Sequence, residues 1–251
     1  MVKRFLYLIP AILLLAAACQ PEDIDFGTGS NTRNYRIKTF DNYTFAYNAD
    51  GTVASITSSA RTINFAYNGK SLEISNGDAV EYQISLGKDG FATKIERSGH
   101  TWTIDYNKAG YITKVSLDGV QATSQTVSSN DIQYWTDYDL ANDFWRKNEA
   151  TYLPKANVGF VQTNWISTLG LERWLFEARL LGNTSANLLE STRWTNADGK
   201  DKKTSVYQYE TDANGCATME IKYYGEWNEF DVDNLSRIES HTFTWEAIPQ
   251  P

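Results

Sequence analysis

Short segments of alternating apolar and polar residues recur along the chain, and each is interrupted by a turn sequence. The first runs from Tyr43 to Ile56 and breaks at Asn-Ala-Asp-Gly, residues 48–51. Period-two alternation places the apolar side chains on one face of a strand, and Asn, Asp and Gly accept the positive φ of a tight hairpin turn. This segment is therefore predicted to be one β-hairpin.

The same arrangement repeats at a regular spacing. The glycines of successive turns are Gly51, Gly69, Gly90 and Gly110. A later copy spans residues 206–221, and a final strand follows at residues 242–245. Because the hairpins follow one another with no helical pattern between them, we predict a mainly β fold: an antiparallel up-and-down meander forming a curved or partly closed, barrel-like sheet.

Residues 131–183 differ from their flanks and are predicted to be a helix and loop insert packed on the sheet. Leu171 and Leu175 share a helical face, Ser167 can cap that helix, and Gly182 can end it. The segment holds four of the eight Trp residues. Such an insert either covers the apolar face of the sheet or presents an aromatic surface to a ligand.

Exposed Trp and Tyr rings stack on sugar rings or clamp apolar ligands, so the aromatic side chains of the insert are the candidate ligand-binding residues. They are Trp135, Tyr138, Trp145, Trp165 and Trp174. Three functions remain open at this point: glycan binding, binding of an apolar or lipid ligand between sheet and insert, and a structural or adhesion role in the envelope without a small-molecule site.

The N-terminus has the form of a lipoprotein signal peptide, residues 1–18. Lys3 and Arg4 precede an apolar run that is too short to span a bilayer, and three alanines precede Cys19. This resembles a bacterial lipobox, in which the cysteine is acylated after cleavage. Acylation on two or three chains would anchor the protein stably, since each buried methylene contributes about 0.8 kcal/mol.

Residues 19–33 are predicted to be the lipidated cysteine and a flexible tether, followed by a single β-meander domain, residues 34–251. Gln20, Glu22 and Asp23 resemble the signal that sends lipoproteins of Bacteroidota type to the outer face of the outer membrane. We therefore expect a lipid-anchored, cell-surface protein of the outer membrane, with the periplasmic face as the alternative.

Composition and charge exclude several classes of protein. The chain has 251 residues, of which 41% are hydrophobic, so it can bury a sizeable core. Its net charge is −8, and loss of Lys3 and Arg4 with the leader makes it −10. Nucleic acid, which carries a dense negative charge, is not an expected partner. The oligomeric state does not follow from the sequence.

Candidate catalytic residues are few. His100 and His241 occupy matching contexts, Gly-His-Thr-Trp and Ser-His-Thr-Phe, as repetition alone would produce, and Cys216 is read as an apolar residue at the start of a strand. No metal site, cofactor or nucleophile motif is predicted, and the protein is expected not to be an enzyme. A glycoside hydrolase remains a minor alternative, because acidic residues cluster in two places. They are Asp137, Asp139 and Asp143, and Glu226, Glu229, Asp231 and Asp233.

The hairpin units resemble degenerate YD repeats of the RHS type, although Tyr47 and Tyr67 are followed by Asn where that repeat has Asp. Together with the lipobox, the combination is similar to an uncharacterised family of Bacteroidota lipoproteins with a porin-like fold. The resemblance covers residues 35–120 and 186–246. It implies architecture and offers no catalytic residues. Since such lipoproteins commonly capture nutrients, it favours a glycan as the ligand.

Overall fold

A computed structural model of the chain describes residues 34–139, 144–162, 169–196 and 198–249. Sixteen antiparallel strands form one closed barrel in which neighbours in sequence are neighbours in the sheet. The strands are β1 (Tyr35–Phe40), β2 (Tyr43–Tyr47), β3 (Val53–Thr57), β4 (Thr62–Asn68), β5 (Ser71–Asn76), β6 (Ala79–Leu86), β7 (Ala92–Arg97), β8 (His100–Tyr106), β9 (Ile112–Leu117), β10 (Val120–Ser128), β11 (Asp131–Asp139), β12 (Phe144–Ala156), β13 (Asn187–Asn196), β14 (Lys202–Thr211), β15 (Ala217–Glu226) and β16 (Ser236–Ala247).

The predicted meander is confirmed, and its hairpin turns lie at the predicted glycines. Gly51, Gly69, Gly90 and Gly110 all have positive φ. At Gly51 the turn is closed by a bond from its N–H to the carbonyl oxygen of Asn48, 3.0 Å long. Positive φ is easily adopted only by a residue without a Cβ, so the glycine spacing fixes where each ribbon reverses.

The prediction of a curved or partly closed sheet is wrong, because the barrel is fully closed. β1 pairs with β16 in antiparallel register from Tyr35 opposite Ala247 to Phe40 opposite Phe243. Closure removes both sheet edges, whose unpaired N–H and C=O groups would otherwise be exposed. The pairing joins residues more than 200 positions apart, and no local pattern in the sequence encodes it.

The predicted insert over residues 131–183 is also wrong. Its first half forms two strands of the barrel wall, β11 and β12. The connection inside the barrel follows β12, and its only described α-helix is α1 (Arg173–Glu177), five residues long. Leu171 and Leu175, expected to share a helical face, are both buried, but Leu171 precedes the helix. The described residues contain no helix long and apolar enough to cross a membrane.

The connection between β12 and β13 fills one half of the lumen. In a barrel of this strand number, side chains of the wall cannot meet across the centre, so the space must be filled or left to water. Trp174 of α1 packs edge-on against Phe65 of β4 and Tyr82 of β6, with ring centroids 6.0 and 5.7 Å apart. Trp102 of β8 donates from Nε1 to the carbonyl oxygen of Leu169 at 2.9 Å.

The inward face of β1 to β9 is apolar and the outward face is polar. Ile63 and Phe65 are buried, whereas Thr62, Asn64 and Ala66 between and beside them are exposed. The other strands of this half alternate in the same sense. Their buried residues include Ile37, Phe40, Phe45, Val53, Ile56, Leu72, Ile74, Tyr82, Ile84, Leu86, Ala92, Ile95, Trp102, Ile104, Ile112 and Val115. These side chains and the plug, residues 169–181, form the core.

Candidate ligand-binding sites

The inward face of the wall changes from apolar to polar at β10. Thr123 lies opposite the inward-facing Val115, and Gln125 lies opposite Trp135, so these positions share the inner face. Both amide atoms of the buried Gln125 lack a hydrogen-bond partner among the described residues. The inward positions that follow on β11 to β15 are mostly polar or aromatic. They include Asp137, Arg146, Asn148, Thr192, Trp194, Ser205, Tyr207, Tyr209, Glu220, Lys222 and Tyr224.

A cavity of about 220 Å³ lies against this polar part of the wall. It will be called the lumen cavity. Its lining residues come from β11 to β16 and are Trp135, Asp137, Arg146, Asn148, Thr192, Trp194, Ser205, Tyr207, Lys222, Tyr224 and Ile238. A water molecule occupies about 30 Å³ of liquid, so this volume suits a ligand of monosaccharide size better than a drug-sized one.

A rigid set of hydrogen bonds forms one side of the lumen cavity. Asp137 is 1% exposed and accepts hydrogen bonds from Arg146 Nε, at 2.9 Å, and Arg146 Nη2. Asn148 Nδ2 donates to the other carboxylate oxygen. A buried carboxylate is tolerated only when it is paired and hydrogen-bonded in this way. The pairing fixes the arginine fork and the amide in place before any ligand arrives.

Four aromatic rings line the same cavity: Trp135, Trp194, Tyr207 and Tyr224. The guanidinium carbon of Arg146 lies 5.7 Å from the centroid of Trp194, and Lys222 Nζ lies 5.8 Å from that of Tyr207. The cavity therefore combines flat apolar surfaces with hydrogen-bonding groups, the combination found in sites for small polar ligands.

A buried ionic cluster ties the plug to the polar wall. Arg173 donates from Nε to Glu177 at 3.1 Å and from Nη1 to Glu220 of β15 at 3.0 Å. All three residues are at most 9% exposed. Burial raises the pKa of Glu177 to about 7, although Arg173 acts in the opposite direction. Breaking this cluster would leave a charge unpaired in the interior.

His241 lies between two carboxylates of the wall. Its Nδ1 is 2.8 Å from Asp41 Oδ2, and its Nε2 is 2.8 Å from Glu239 Oε1. Burial lowers the pKa of His241, but the hydrogen bonds to Asp41 and Glu239 outweigh burial and raise the pKa to about 9. The hydrogen bond from His241 lowers the pKa of Glu239 to about 2. The imidazole is thus held as a cation.

The two histidines make the same local contacts. His100 Nδ1 is 2.7 Å from Asp118 Oδ2, and the N–H of Thr101 donates to Asp118 Oδ1 at 2.8 Å. At His241, Asp41 receives the equivalent bonds from the imidazole and from the N–H of Thr242. Each aspartate has positive φ and lies in a hairpin turn of a neighbouring strand pair. The matching sequence contexts therefore correspond to a repeated structural unit.

A second, larger cavity of about 730 Å³ lies between the plug and the hairpin turns at the end of the barrel where β1 begins. It will be called the vestibule. Tyr47, Tyr67 and Phe91 supply aromatic surface, with further apolar side chains from Val53, Leu86, Leu180 and Ile248. Arg36 also lines it: its Nε is 2.6 Å from Glu246 Oε1, and its guanidinium lies over the ring of Tyr47. The vestibule thus combines apolar surface with charged side chains, which include Arg36 and the buried Glu177.

The structure does not bring the five predicted ligand residues together. Trp135 lines the lumen cavity, whereas Trp174 is 2% exposed in the core. Tyr138 and Trp145 pair with each other on the outward face, with ring centroids 5.5 Å apart. Trp165 lies outside the described residues, as do Cys19, Gln20, Glu22 and Asp23.

The acidic residues named as catalytic candidates also lie apart from one another. Asp137 lies in the lumen cavity, while the side chain of Asp139 and residue Asp143 are outside the described part. Asp231 accepts a bond from the N–H of Asp233 at a 3-10 turn, Val232–Asn234, close to Glu226 and Glu229 in sequence. Across the described ranges no group of three metal-ligating side chains is found. Cys216 is fully buried, and burial raises the pKa of its thiol to about 11.

Sequence reasoning did not single out most of the lumen cavity. Arg146, Trp194, Tyr207, Lys222 and Tyr224 are spread over four strands. The one available signal is spacing: inward residues on a strand are two positions apart, as Tyr207 is from Ser205 and Lys222 from Tyr224. That signal becomes useful only when the pairing of the strands is known.

The sequence matches no protein-family model, and no curated protein matches it. Two solved structures are similar. A porin-like protein from Bacteroides uniformis is 17% identical, with a TM-score of 0.64 over 81% of this chain and 90% of that one. A porin-like protein from Bacteroides vulgatus is 10% identical, with a TM-score of 0.55 over 85% and 99% of the two chains. The chain thus has the porin-like fold of these two proteins.

Proposed function

We propose that this protein is a lipid-anchored lipoprotein of the outer membrane whose barrel lies in water and binds a small glycan unit in the lumen cavity. The observation that carries the proposal is the lining of that cavity, where four aromatic rings surround a fixed set of donors and acceptors. No reaction is part of the proposal.

The chemistry of the lumen cavity suits a sugar. A sugar ring has an apolar face that packs on Trp or Tyr and a rim of hydroxyl groups that need donors and acceptors. Trp135 and Trp194 supply the first, and Arg146, Asn148 and Ser205 supply the second. A purely apolar ligand would make no use of these polar groups, so a ligand with hydroxyl groups suits the cavity better.

The outward face of β1 to β9 supports a barrel in water. Its exposed residues include Asn64, Glu73, Gln83, Thr103 and Asp105. Barrels that cross outer membranes have the reverse arrangement, with an outward apolar band about 25 Å tall. Membrane attachment therefore rests on acylation of Cys19, and the surface location on Gln20, Glu22 and Asp23, as the sequence predicts.

The lumen cavity lies near the end of the barrel opposite the start of β1. Trp194, Tyr224 and Ile238 are each two residues from the end of their strands at the turns that join β13 to β14 and β15 to β16. The tether joins the barrel at Asn34, at the other end. A protein anchored through Cys19 thus has its attachment and its cavity at opposite ends.

A glycan array with the purified mature protein tests glycan binding. Trp194→Ala is expected to abolish the signals seen with the wild type, because it removes one wall of the cavity. Trp145→Ala is the matched control, since it removes an indole from the outward face and should leave the signals unchanged. Equal loss in both variants, or an array without any signal, would contradict glycan binding in the lumen cavity.

Anchoring is tested separately in cell fractions. The Cys19→Ser variant is expected to leave the membrane fraction and to stay in solution without detergent, because the described outward face of β1 to β9 is polar. A Cys19→Ser protein that still needs detergent would show that the barrel itself sits in the bilayer.

The vestibule favours a second function, binding of an amphiphilic ligand between sheet and plug. Its volume is within the usual range for ligand sites, and its lining combines apolar and charged side chains. Native mass spectrometry of the purified protein would show a co-purified lipid, and Leu86→Trp, which fills part of the vestibule, should remove it. Retention of the lipid by Leu86→Trp would place it elsewhere.

A further inference from the structure

We propose that the sugar bound in the lumen cavity carries a carboxylate, as a uronic acid does, and that Lys222 is its ion partner. The inference rests on the proposed function and adds the charge class of the ligand.

The three charges that line the cavity are not all paired with one another. They belong to Asp137, Arg146 and Lys222. Arg146 is already committed to Asp137 through two donors, so these two neutralise each other. Lys222 is the third charge of the lining, and its ion partner, Glu239 of β16, lies outside the lining.

Lys222 is held only loosely by its ion partner Glu239, which lies opposite it on β16. Its Nζ is 3.7 Å from Glu239 Oε2, and within the described ranges it makes no hydrogen bond. Glu239 is engaged through its other oxygen with His241, at 2.8 Å. Glu220, two residues along β15, accepts from Arg173 at 3.0 Å. The nearby acidic groups are thus occupied by other cations.

The position of Lys222 suits an incoming carboxylate. Its side chain is 28% exposed, and its ammonium lies over Tyr207, which lines the same cavity. A partly buried ammonium that makes no hydrogen bond to the protein is stabilised by a ligand that supplies such bonds. A carboxylate would supply charge-assisted hydrogen bonds, which are about twice as strong as neutral ones. The aromatic walls would hold the ring while Lys222 holds the acid group.

The test compares sugars that differ only in the acid group. Isothermal titration calorimetry is run on the mature protein with glucose and glucuronic acid, galactose and galacturonic acid, and mannose and mannuronic acid. In at least one pair the acid is expected to bind about tenfold tighter than the neutral sugar, and the difference should shrink as salt is added.

Variants then assign the preference to Lys222. Lys222→Met is expected to erase it, so that acid and neutral sugar bind alike, whereas Lys222→Arg keeps a cation and should retain it. Lys147→Met is the matched control: Lys147 is exposed on the outward face of β12, and its loss changes the net charge equally. A preference that survives in Lys222→Met, or falls equally in Lys147→Met, would overturn the assignment.

The outcomes also separate this inference from the proposed function. Neutral sugars that bind as well as their acids, with Trp194→Ala abolishing binding, would overturn the acidic ligand and leave glycan binding standing. No binding of any of the six sugars would overturn the acidic ligand, and an array without signal would overturn both.

Discussion

The two halves of the barrel use the same strand geometry for different purposes. From β1 to β9 the inward positions are apolar and pack on the plug, with Ile63, Leu72 and Ile74 completely buried. From β10 to β15 the inward positions are largely polar, and a cavity remains. An antiparallel wall constrains only the direction of each side chain, so one ring of strands can carry a core on one side and a binding site on the other.

The plug contacts the two halves of the wall through different side chains. Trp174 packs against β4 and β6, while Arg173 reaches Glu220 on β15. The rings of Phe40 and Phe243 lie near the guanidinium of Arg173, at 5.1 and 5.9 Å. The segment thus contacts both halves: Trp174 packs on the apolar wall, where Glu172 also pairs with Arg61 and Arg97, and Arg173 reaches the polar wall.

The sharpest test of this comparison is the same substitution in each half. Trp174→Ala should lower the free energy of unfolding by about 3–5 kcal/mol, because it opens a hole in a packed core. Trp194→Ala should cost clearly less, since its indole already borders a cavity. Urea denaturation of both variants measures the difference. Equal costs would show that the polar half is as tightly packed as the apolar half.

Removing the cation that joins plug and wall should have the next largest effect. Arg173→Met leaves Glu177 and Glu220 without their buried partner and should cost about 3 kcal/mol at pH 8. The loss should be smaller at pH 5, where Glu177, whose pKa is raised to about 7 by burial, takes up a proton. Urea titrations at both pH values check this, and Arg36→Met, at a half-exposed pair with Glu246, is the control. A loss independent of pH would contradict a charged Glu177.

A smaller effect is expected from pH alone. The folded state raises the pKa of His241 from 6.5 to about 9, so the pair with Asp41 and Glu239 stabilises the protein fully below pH 6.5. This contribution, on the order of 2 kcal/mol, is lost as the pH rises from 6.5 through 9. Urea midpoints of the wild type should fall over this range, and those of His241→Gln should fall less. His100→Gln, at the exposed copy of the motif, should follow the wild type.

The predictable part of the fold was the part whose pattern is local. Asp50-Gly51 between two alternating segments identifies a hairpin without knowledge of its neighbours, and this holds along β2 to β9. The same reasoning failed at β11 and β12, because their inward residues Asp137, Arg146 and Asn148 are polar. Without apolar alternation, the dense aromatic residues of these strands predict an insert where the structure has the barrel wall.

The site was less predictable than the fold for a physical reason. Asp137 and Tyr224 line one cavity although 87 residues separate them, and only the barrel registers bring them together. The aromatic content of the segment indicates Trp135, which lines the cavity. It indicates Trp145 and Tyr138 equally, and these two side chains face outward. Composition indicates that rings are present, whereas the register decides which side of the wall they occupy.

The seam of the barrel places the two ends of the domain side by side, since the N–H of Ile248 donates to the carbonyl oxygen of Asn34 at 2.8 Å. A short linker could therefore join them, and new ends could be cut at the exposed turn of Gly77 and Asp78, at the opposite rim. Such a circular permutant would keep all sixteen strands in order. Its chain would then begin at the end of the barrel that holds the lumen cavity, whereas the natural domain begins at the other end.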